Sequence, residues 1–302
     1  MTNTIPVLRA VQEFLEFCKA RNDSPNTLRA YNRDLISFVQ CIGHQTPVSE
    51  VTRKRIRVYL MSLDSGLKRG SVTRKLASVK SLCNWLVGES YLDANPAEGI
   101  QGPRRHQELP DVPSEKDMAK LLRRPFRSAC PERDSVILEL LYSCGLRAAE
   151  LAGANVDDFR QDGTLLVRGK GRKERLVPVG RMAKLAVAEW LPVREKLLAE
   201  KQLETNALLV SVGPRESFER LDVRSVHRVV QSISLEKLGR ALHPHTLRHC
   251  CATHCHDRGM SIQAVAAMLG HARLSTAQIY TRVSPVRMLD VYSRAHPHAR
   301  NL

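Results

Sequence analysis

The stretches HPHTLRHCCATH, residues 243–254, and LGHARLSTAQIY, residues 269–280, carry the most informative pattern of this chain. Between them they hold His245, Arg248, His271 and Tyr280, with no carboxylate in either stretch. His245 and Arg248 are three positions apart, which places both side chains on one face of a predicted helix. Gly270 is typical of a helix C-cap. Residues 275–278, Ser-Thr-Ala-Gln, predict a capping box that starts the short helix of Tyr280.

Two upstream segments add further cations. YSCGLRAAEL, residues 142–151, supplies Arg147, and VRGKGRKERLVPV, residues 167–179, supplies Lys170 at the tip of a predicted β-hairpin. Arginine binds phosphate oxygens in a planar fork, and histidine and lysine transfer protons. Tyrosine can act as a covalent nucleophile. Each residue taken alone fits a surface or core role, but the combination favours a phosphodiester substrate.

The sequence motifs in these segments resemble those of a known family. GLRAAEL, GKGRKER, HPHTLRH, LGHARLSTAQIYT and the tail AHPHA resemble the tyrosine recombinases of the lambda-integrase type, and most closely the Xer (XerC- and XerD-like) recombinases. The resemblance extends over nearly the whole chain. The chain departs from the family's usual residues at Ala149 and Ala277, where small hydroxyl residues are common. It also departs at Cys250, Cys251 and Cys255, which replace small or apolar residues.

The resemblance implies a phosphate-binding role for three of the six candidate catalytic residues. Arg147 and Arg248 would clamp the scissile phosphate, and His271 would hydrogen-bond a phosphate oxygen. Glu150 lies within i,i+3 reach of Arg147, so its carboxylate is expected to hold that guanidinium as a supporting partner. The alternative for this pair is an ordinary surface ion pair.

The other three residues are expected to handle protons and the covalent step. By resemblance Tyr280 is the nucleophile, His245 accepts its proton or stabilises charge beside it, and Lys170 protonates the leaving 5′-oxygen. A free phenol has a pKa near ~10, so Tyr280 needs a neighbouring base and cations before it attacks. Lys170 is chosen over Arg172, Lys173 and Arg175 because it stands between two glycines, as in the family.

Composition points to a polyanionic partner. Lys and Arg number 47 against 31 Asp and Glu, a formal charge of +16, and both the first 110 residues and the remainder are basic. The N-terminal segment lacks the pattern of a signal peptide, and no apolar run is long enough to span a membrane. We therefore expect a cytoplasmic protein with reduced thiols and no membrane association.

No cofactor and no metal are expected. The chain contains no GxxxxGK[ST] motif for ATP. An alternative hypothesis is a zinc site, since Cys251 and Cys255 are four positions apart beside His254 and His256. However, the sequence contains no second CxxC or HExxH pair that would complete a tetrahedral set of ligands.

The expected fold is mainly α: a helical, SAM-like core-binding bundle at residues 1–100, a linker at 101–113, and a catalytic domain at 114–302. The catalytic domain is expected to be mainly helical with a small antiparallel β-sheet, and residues 284–302 form a tail. In recombinases this tail docks on a neighbouring protomer, and packing on its own domain is the alternative. The cations expected to contact DNA are Arg53, Lys54, Arg55, Arg57, Arg74, Lys75, Lys80, Arg104, Arg105, Arg172 and Lys173.

The resemblance implies a site-specific DNA recombinase for chromosome or plasmid dimer resolution. It would act on double-stranded DNA carrying a specific site, through a 3′-phosphotyrosyl intermediate and a Holliday junction. It would assemble as a homotetramer or as a heterotetramer with a paralogous recombinase. The alternatives are a transposon or phage integrase or resolvase of the same family, a type IB topoisomerase, and a non-catalytic DNA-binding protein.

Overall fold

The computed structural model describes residues 4–64, 66–103, 112–169, 173–212, 219–270 and 285–299, with the backbone alone for residues 64 and 285–288. The chain divides into two compact units, Met1–Pro110 and Asp111–Leu302. Each unit encloses its own apolar core.

The first unit is a helical bundle. Its helices are α1 (Val7–Ala20), α2 (Pro25–Ile42), α3 (Arg53–Asp64) and α4 (Arg69–Gly88). As its sequence predicts, α2 begins where the Ser24 side chain accepts a hydrogen bond from the backbone N–H of Thr27. Leu35 and Phe38 of α2, at helical spacing, are fully buried. The apolar stripes therefore fix how these helices pack.

The second unit is also mainly helical, with one small sheet. Its elements are α5 (Glu115–Leu122), α6 (Pro131–Ser143), α7 (Ala148–Ala152), β1 (Thr164–Arg168), β2 (Glu174–Pro178), α8 (Arg181–Glu200), α9 (Val223–Leu238), α10 (Pro244–Asp257), α11 (Ile262–Leu269) and α12 (Pro285–Ala295). β1 and β2 pair antiparallel, from Thr164 opposite Pro178 to Arg168 opposite Glu174. The predicted fold class is confirmed.

Helix α6 is the buried centre of the second unit. Residues 133–143 are all buried, and the helix packs against α8 and α10. It ends at Ser143, and Gly145 then adopts a φ of +58°. An added Cβ at Gly145 would collide with the Leu269 side chain. This turn sends the chain directly into Arg147 and α7, so the end of α6 positions the candidate site.

The described part of the tail packs on its own unit. Tyr292 is 2% exposed, and its hydroxyl donates to the backbone oxygen of Ser143 at 3.1 Å. His296 contacts the backbone oxygen of Tyr142 through Nε2 at 3.2 Å. In the single chain the tail thus takes the alternative of packing in cis, and docking on a neighbouring protomer stays a prediction for the assembled complex.

Among the residues that the structure describes, none of the helices combines the length and the apolar character that crossing a membrane requires.

Candidate active site

Arg147 stands at the N-terminal end of α7 and is held there by Glu150. The backbone N–H of Arg147 donates to Glu150 Oε2 at 2.9 Å, and its Nη1 donates to Oε1 at 2.7 Å. The Arg147 side chain remains 46% exposed. Glu150 therefore fixes one end of an arginine whose side chain remains accessible to a ligand.

Arg248 is the second arginine of the site and is almost completely enclosed. Its side chain is 3% exposed, and Nη2 donates to the backbone oxygen of Leu269 at 2.6 Å while Nη1 donates to that of Gly145. Burial, followed by the nearby positive charge of Arg147, lowers the pKa of Arg248 to about 10. The guanidinium is still charged at neutral pH and is fixed between the α6–α7 turn and the end of α11.

Glu150 lies between these arginines and a third one. Its side chain is 4% exposed, and Arg175 binds it with two parallel hydrogen bonds of 2.9 and 2.8 Å. Nη1 of Arg248 lies 3.8 Å from Oε2. Burial alone would raise the pKa of Glu150, but hydrogen bonds from Arg175 and Arg147 outweigh it and bring the pKa to about 2. Three positive charges thus surround one negative charge, an arrangement that attracts an anion.

His245 lies one turn before Arg248 on α10, as the spacing predicts, and is exposed. Although the residue is exposed, partial desolvation of its imidazole, followed by the charges of Arg248, His249 and Arg147, lowers the pKa of His245 below its ordinary value. The neutral imidazole therefore predominates at pH 7 and can accept a proton. The pair combines a proton acceptor with a guanidinium on one helix.

The base of the hairpin lies over Glu150. The backbone N–H of Gly169 donates to the oxygen of Lys173 at 2.8 Å, and a Cβ added at Gly169 would lie 3.7 Å from Glu150 Oε1. Gly169, which immediately precedes Lys170 in the sequence, therefore lies directly beside the buried carboxylate. Lys173 is exposed.

Three of the six candidate catalytic residues, Lys170, His271 and Tyr280, lie outside the described residues, as does the capping box at 275–278. Gly270, which immediately precedes His271, caps α11 with a φ of +65°, so that prediction is confirmed. The predicted catalytic roles stay predictions.

The cations expected to contact DNA are placed differently from one another. Lys54 and Arg57 are exposed on α3, and Arg74 pairs with the buried Asp34. Lys75 is buried, 3.8 Å from Asp34, and burial lowers its pKa. Arg53 binds the backbone oxygen of Glu98, and Arg55 pairs with Glu50. Lys80 is half-buried. The remaining cations, Arg104, Arg105 and Arg172, lie outside the described residues. Among the members that the structure describes, Lys75 is thus the one whose charged group is least accessible to a phosphate.

The cysteine cluster brings Cys251, Cys255 and His296 together, with one ligand atom of each within 4.8 Å of the others. His296 uses Nε2 on the backbone oxygen of Tyr142, and its Nδ1 accepts the N–H of His298. A hydrogen bond with Cys255 and then burial raise the pKa of the Cys251 thiol well above its usual value. These contacts favour a packing role for the cluster rather than metal ligation.

Sequence reasoning missed Arg175, which it considered only as a competitor of Lys170. On β2, Arg175 shares a strand face with the buried Val177, since residues two apart point the same way. A charged residue on the inward face of a strand was the available signal.

Comparisons with known proteins agree with this architecture. Residues 113–287 match the Phage integrase family, and residues 11–90 match the Phage integrase, N-terminal SAM-like domain. Tyrosine recombinase XerC of Pelobacter propionicus is 38% identical, over 98% of this chain and 97% of the relative. Tyrosine recombinase XerD of Oceanobacillus iheyensis is 33% identical, over 96% of this chain and 99% of the relative.

Solved structures share the fold. A lambda integrase dimer bound to a COC′ core site superposes with a TM-score of 0.72 at 16% identity, covering 92% of this chain and 78% of that one. The XerH site-specific recombinase bound to a palindromic difH substrate gives 0.70 at 20% identity, covering 94% and 83%.

The chain therefore belongs to the phage integrase family, among the tyrosine recombinases of the Xer group. The resemblance read from its motifs is confirmed, and with it the assignment as a site-specific DNA recombinase.

Proposed function

We propose that this recombinase cuts and rejoins double-stranded DNA at a specific site by transesterification through Tyr280. The observation that carries the proposal is the convergence of Arg147 and Arg248 on the single carboxylate of Glu150, which Arg175 also binds. The excess positive charge suits a phosphodiester, whose transition state gains negative charge on its oxygens.

In the proposed reaction the phenol oxygen of Tyr280 forms a bond to phosphorus, and the bond from phosphorus to the 5′-oxygen breaks. His245 takes the phenol proton, and Lys170 supplies a proton to the leaving oxygen. Arg147, Arg248 and His271 bind the non-bridging oxygens. The product is a 3′-phosphotyrosyl bond and a free 5′-hydroxyl.

That hydroxyl then attacks the phosphotyrosyl bond of a partner strand. The phosphodiester bond energy is kept in the protein–DNA linkage, so the exchange needs no ATP. Two rounds pass through a Holliday junction, with four subunits on two duplexes, as a homotetramer or a heterotetramer with a paralogue. One solved relative of the same fold is a lambda integrase tetramer bound to a Holliday junction.

The biological role we propose is resolution of chromosome or plasmid dimers in the cytoplasm. It is supported by relatives named XerC and XerD that match along nearly their whole length. Lys54 and Arg57 of the first unit, Arg104 and Arg105 of the linker, and Arg172 and Lys173 of the hairpin would supply phosphate contacts, and residues 284–302 would dock on the neighbouring protomer.

Tyr280→Phe tests the covalent step, because it keeps the ring and removes only the nucleophile. The variant should bind a nicked suicide duplex as the unmodified protein does in a gel shift, yet form no covalent adduct on a denaturing gel. Tyr91→Phe, which removes a hydroxyl that contacts Glu13 in the first unit, is the control and should still form the adduct. A covalent adduct with Tyr280→Phe would assign the nucleophile to another residue.

A second assay separates a recombinase from a type IB topoisomerase. The unmodified protein should convert two duplexes that carry the same site into a Holliday junction. Relaxation of supercoiled DNA with no junction product would favour the topoisomerase.

A further inference from the structure

Arg175 connects three parts of the proposed active site. It lies on β2, two residues after the hairpin turn, and its side chain is 15% exposed. Its Nη1 and Nη2 bind Glu150 on α7, and its Nε donates to the backbone oxygen of Met268, in the last turn of α11, at 3.1 Å. One guanidinium thus joins the hairpin, the helix that follows Arg147 and the helix that precedes His271.

The end of α11 is shaped to accept this guanidinium. Gly270 has a φ of +65°, and a Cβ added there would lie 3.0 Å from Cδ and 3.2 Å from Nε of Arg175. Most other residues would therefore push Arg175 away and would also strain the backbone. Cations near a helix C-terminus also interact favourably with its last carbonyl groups. Arg175 therefore contacts the end of the helix that immediately precedes His271 in the sequence.

Arg175 also limits how closely Glu150 pairs with Arg248. The bidentate contact with Arg175 occupies both oxygens of Glu150, whereas Arg248 approaches only to 3.8 Å. Arg147 already binds Glu150 at 2.7 Å, so without Arg175 the buried carboxylate would draw Arg248 closer, since a buried charge requires close partners. It would then compete with the DNA phosphate for Arg248.

We propose that Arg175 is a positioning residue for strand cleavage: it holds Glu150 and the end of α11 against the hairpin, so that the elements carrying Arg147, Lys170 and His271 keep one alignment. The inference rests on the proposed function. Arg175 acts through other residues and is not assigned a contact with DNA.

The test compares Arg175→Gln and Arg175→Lys with Arg168→Gln. Arg168 is a matched control because it lies on β1 of the same hairpin and binds another buried carboxylate, Asp158, at 2.6 Å. The measured quantities are the rate constant of covalent adduct formation at saturating suicide substrate, the Kd for the same DNA, and the unfolding temperature.

Arg175→Gln should lower the cleavage rate constant by about 100-fold, the scale of a misplacement of ~1 Å in a reacting centre. Its Kd should stay near that of the unmodified protein. Arg175→Lys keeps the charge but cannot form the bidentate contact with Glu150, so its cleavage rate constant should fall by about 10-fold. Arg168→Gln should cleave at the unmodified rate while losing a similar amount of thermal stability.

A double-mutant cycle with Glu150→Gln supplies a readout that a purely structural role would not move. If Arg175 acts partly through Glu150, the cleavage rate constant of the double variant falls by less than the product of the two fold-reductions seen in the single variants. Losses that multiply would overturn the inference.

Equal cleavage by Arg175→Gln and Arg168→Gln would also overturn it. If Arg175→Gln does not fold, Arg175→Lys decides, and full activity of that variant rejects the role. A failure of the unmodified protein to form the adduct would instead refute the proposed function, so the two failures are distinguishable.

Discussion

Glu150 concentrates the electrostatics of the site in one side chain. A carboxylate that is 4% exposed would be costly to bury alone, and its arginine neighbours hold its pKa at about 2. It therefore stays ionised over the whole physiological range and keeps its partners in place. The site is basic on balance without being a cluster of unopposed cations.

Lys170 is the residue whose proposed role can be isolated by substrate chemistry. Lys170→Ala should slow cleavage of an ordinary 5′-oxygen substrate far more than cleavage of a 5′-thio substrate, because a thiolate leaves without protonation. Loss of a general acid typically costs about 100- to 10,000-fold. Adduct formation on the two suicide substrates gives the comparison. Equal losses on both would remove Lys170 from the role of general acid.

The turn after α6 sets the geometry at the scale of elements. Gly145 turns the chain toward Arg147, its backbone oxygen binds Arg248, and its missing Cβ makes room for Leu269 of α11. Three elements of the second unit thus meet at a residue that has no side chain.

Gly145→Ala should therefore destabilise the second unit more than a glycine change in open space. The expected cost is about 1–2 kcal/mol for the left-handed backbone plus about 1–3 kcal/mol for overpacking. Gly239→Ala is the matched control, since Gly239 has a φ of +69° with nothing within 4 Å of an added Cβ. Urea unfolding of the two variants measures the difference, and equal midpoints would show that the contact with Leu269 is relaxed at no cost.

The contact of the tail with α6 and α10 should make stability depend on pH. Burial, followed by the nearby His298, lowers the pKa of His296 to about 3. In the unfolded chain His296 takes up a proton near pH 6.5, whereas in the folded chain it stays neutral down to a pH of about 3. Its contribution to the free energy of unfolding is therefore complete above pH 6.5 and is lost as the pH falls. The other titratable and charged groups around it are Cys251, Cys255, Tyr142, Tyr292, His254, Arg258 and the His298–Glu139 pair.

Lowering the pH from about 7.5 to about 5 should cost up to ~2 kcal/mol of unfolding free energy through His296. Urea unfolding at the two pH values measures this loss. His296→Gln should reduce the dependence, and His44→Gln, a change at an exposed histidine of the first unit, should leave it unchanged. A pH dependence that His296→Gln does not alter would assign the effect to other groups.

Charge is the property that acts at the scale of the whole molecule. The formal charge is +16, and exposed cations occur in both units. Such a protein neutralises many phosphates and releases their counterions on binding.

DNA affinity should therefore fall steeply as salt rises. Each neutralised phosphate contributes a slope of about −0.9 in log K against log salt concentration. A titration of a labelled duplex by fluorescence anisotropy gives the slope, and Lys54→Gln should reduce its magnitude by about one phosphate. Lys75→Gln is a useful comparison because Lys75 is buried. A slope near zero would contradict phosphate binding by both units.

The sequence alone determined whatever depends on neighbours along the chain. The caps at Ser24 and Gly270 could be predicted because their hydrogen bonds or backbone angles involve residues within one turn. The two strands of the hairpin followed from two β-rich runs joined by a basic turn, and the family from the motifs around the six candidate residues.

Tertiary structure alone decided which distant groups share a charge or a surface. Arg175 and Glu150 are 25 positions apart, and Arg248 binds the carbonyl of Gly145, which is 103 positions away. The burial of Lys75 and the packing of Tyr292 on Ser143 are likewise set by pairing between helices. Hydrophobic periodicity fixes which face of an element is buried, but not which partner it meets, and the role of a side chain depends on that partner.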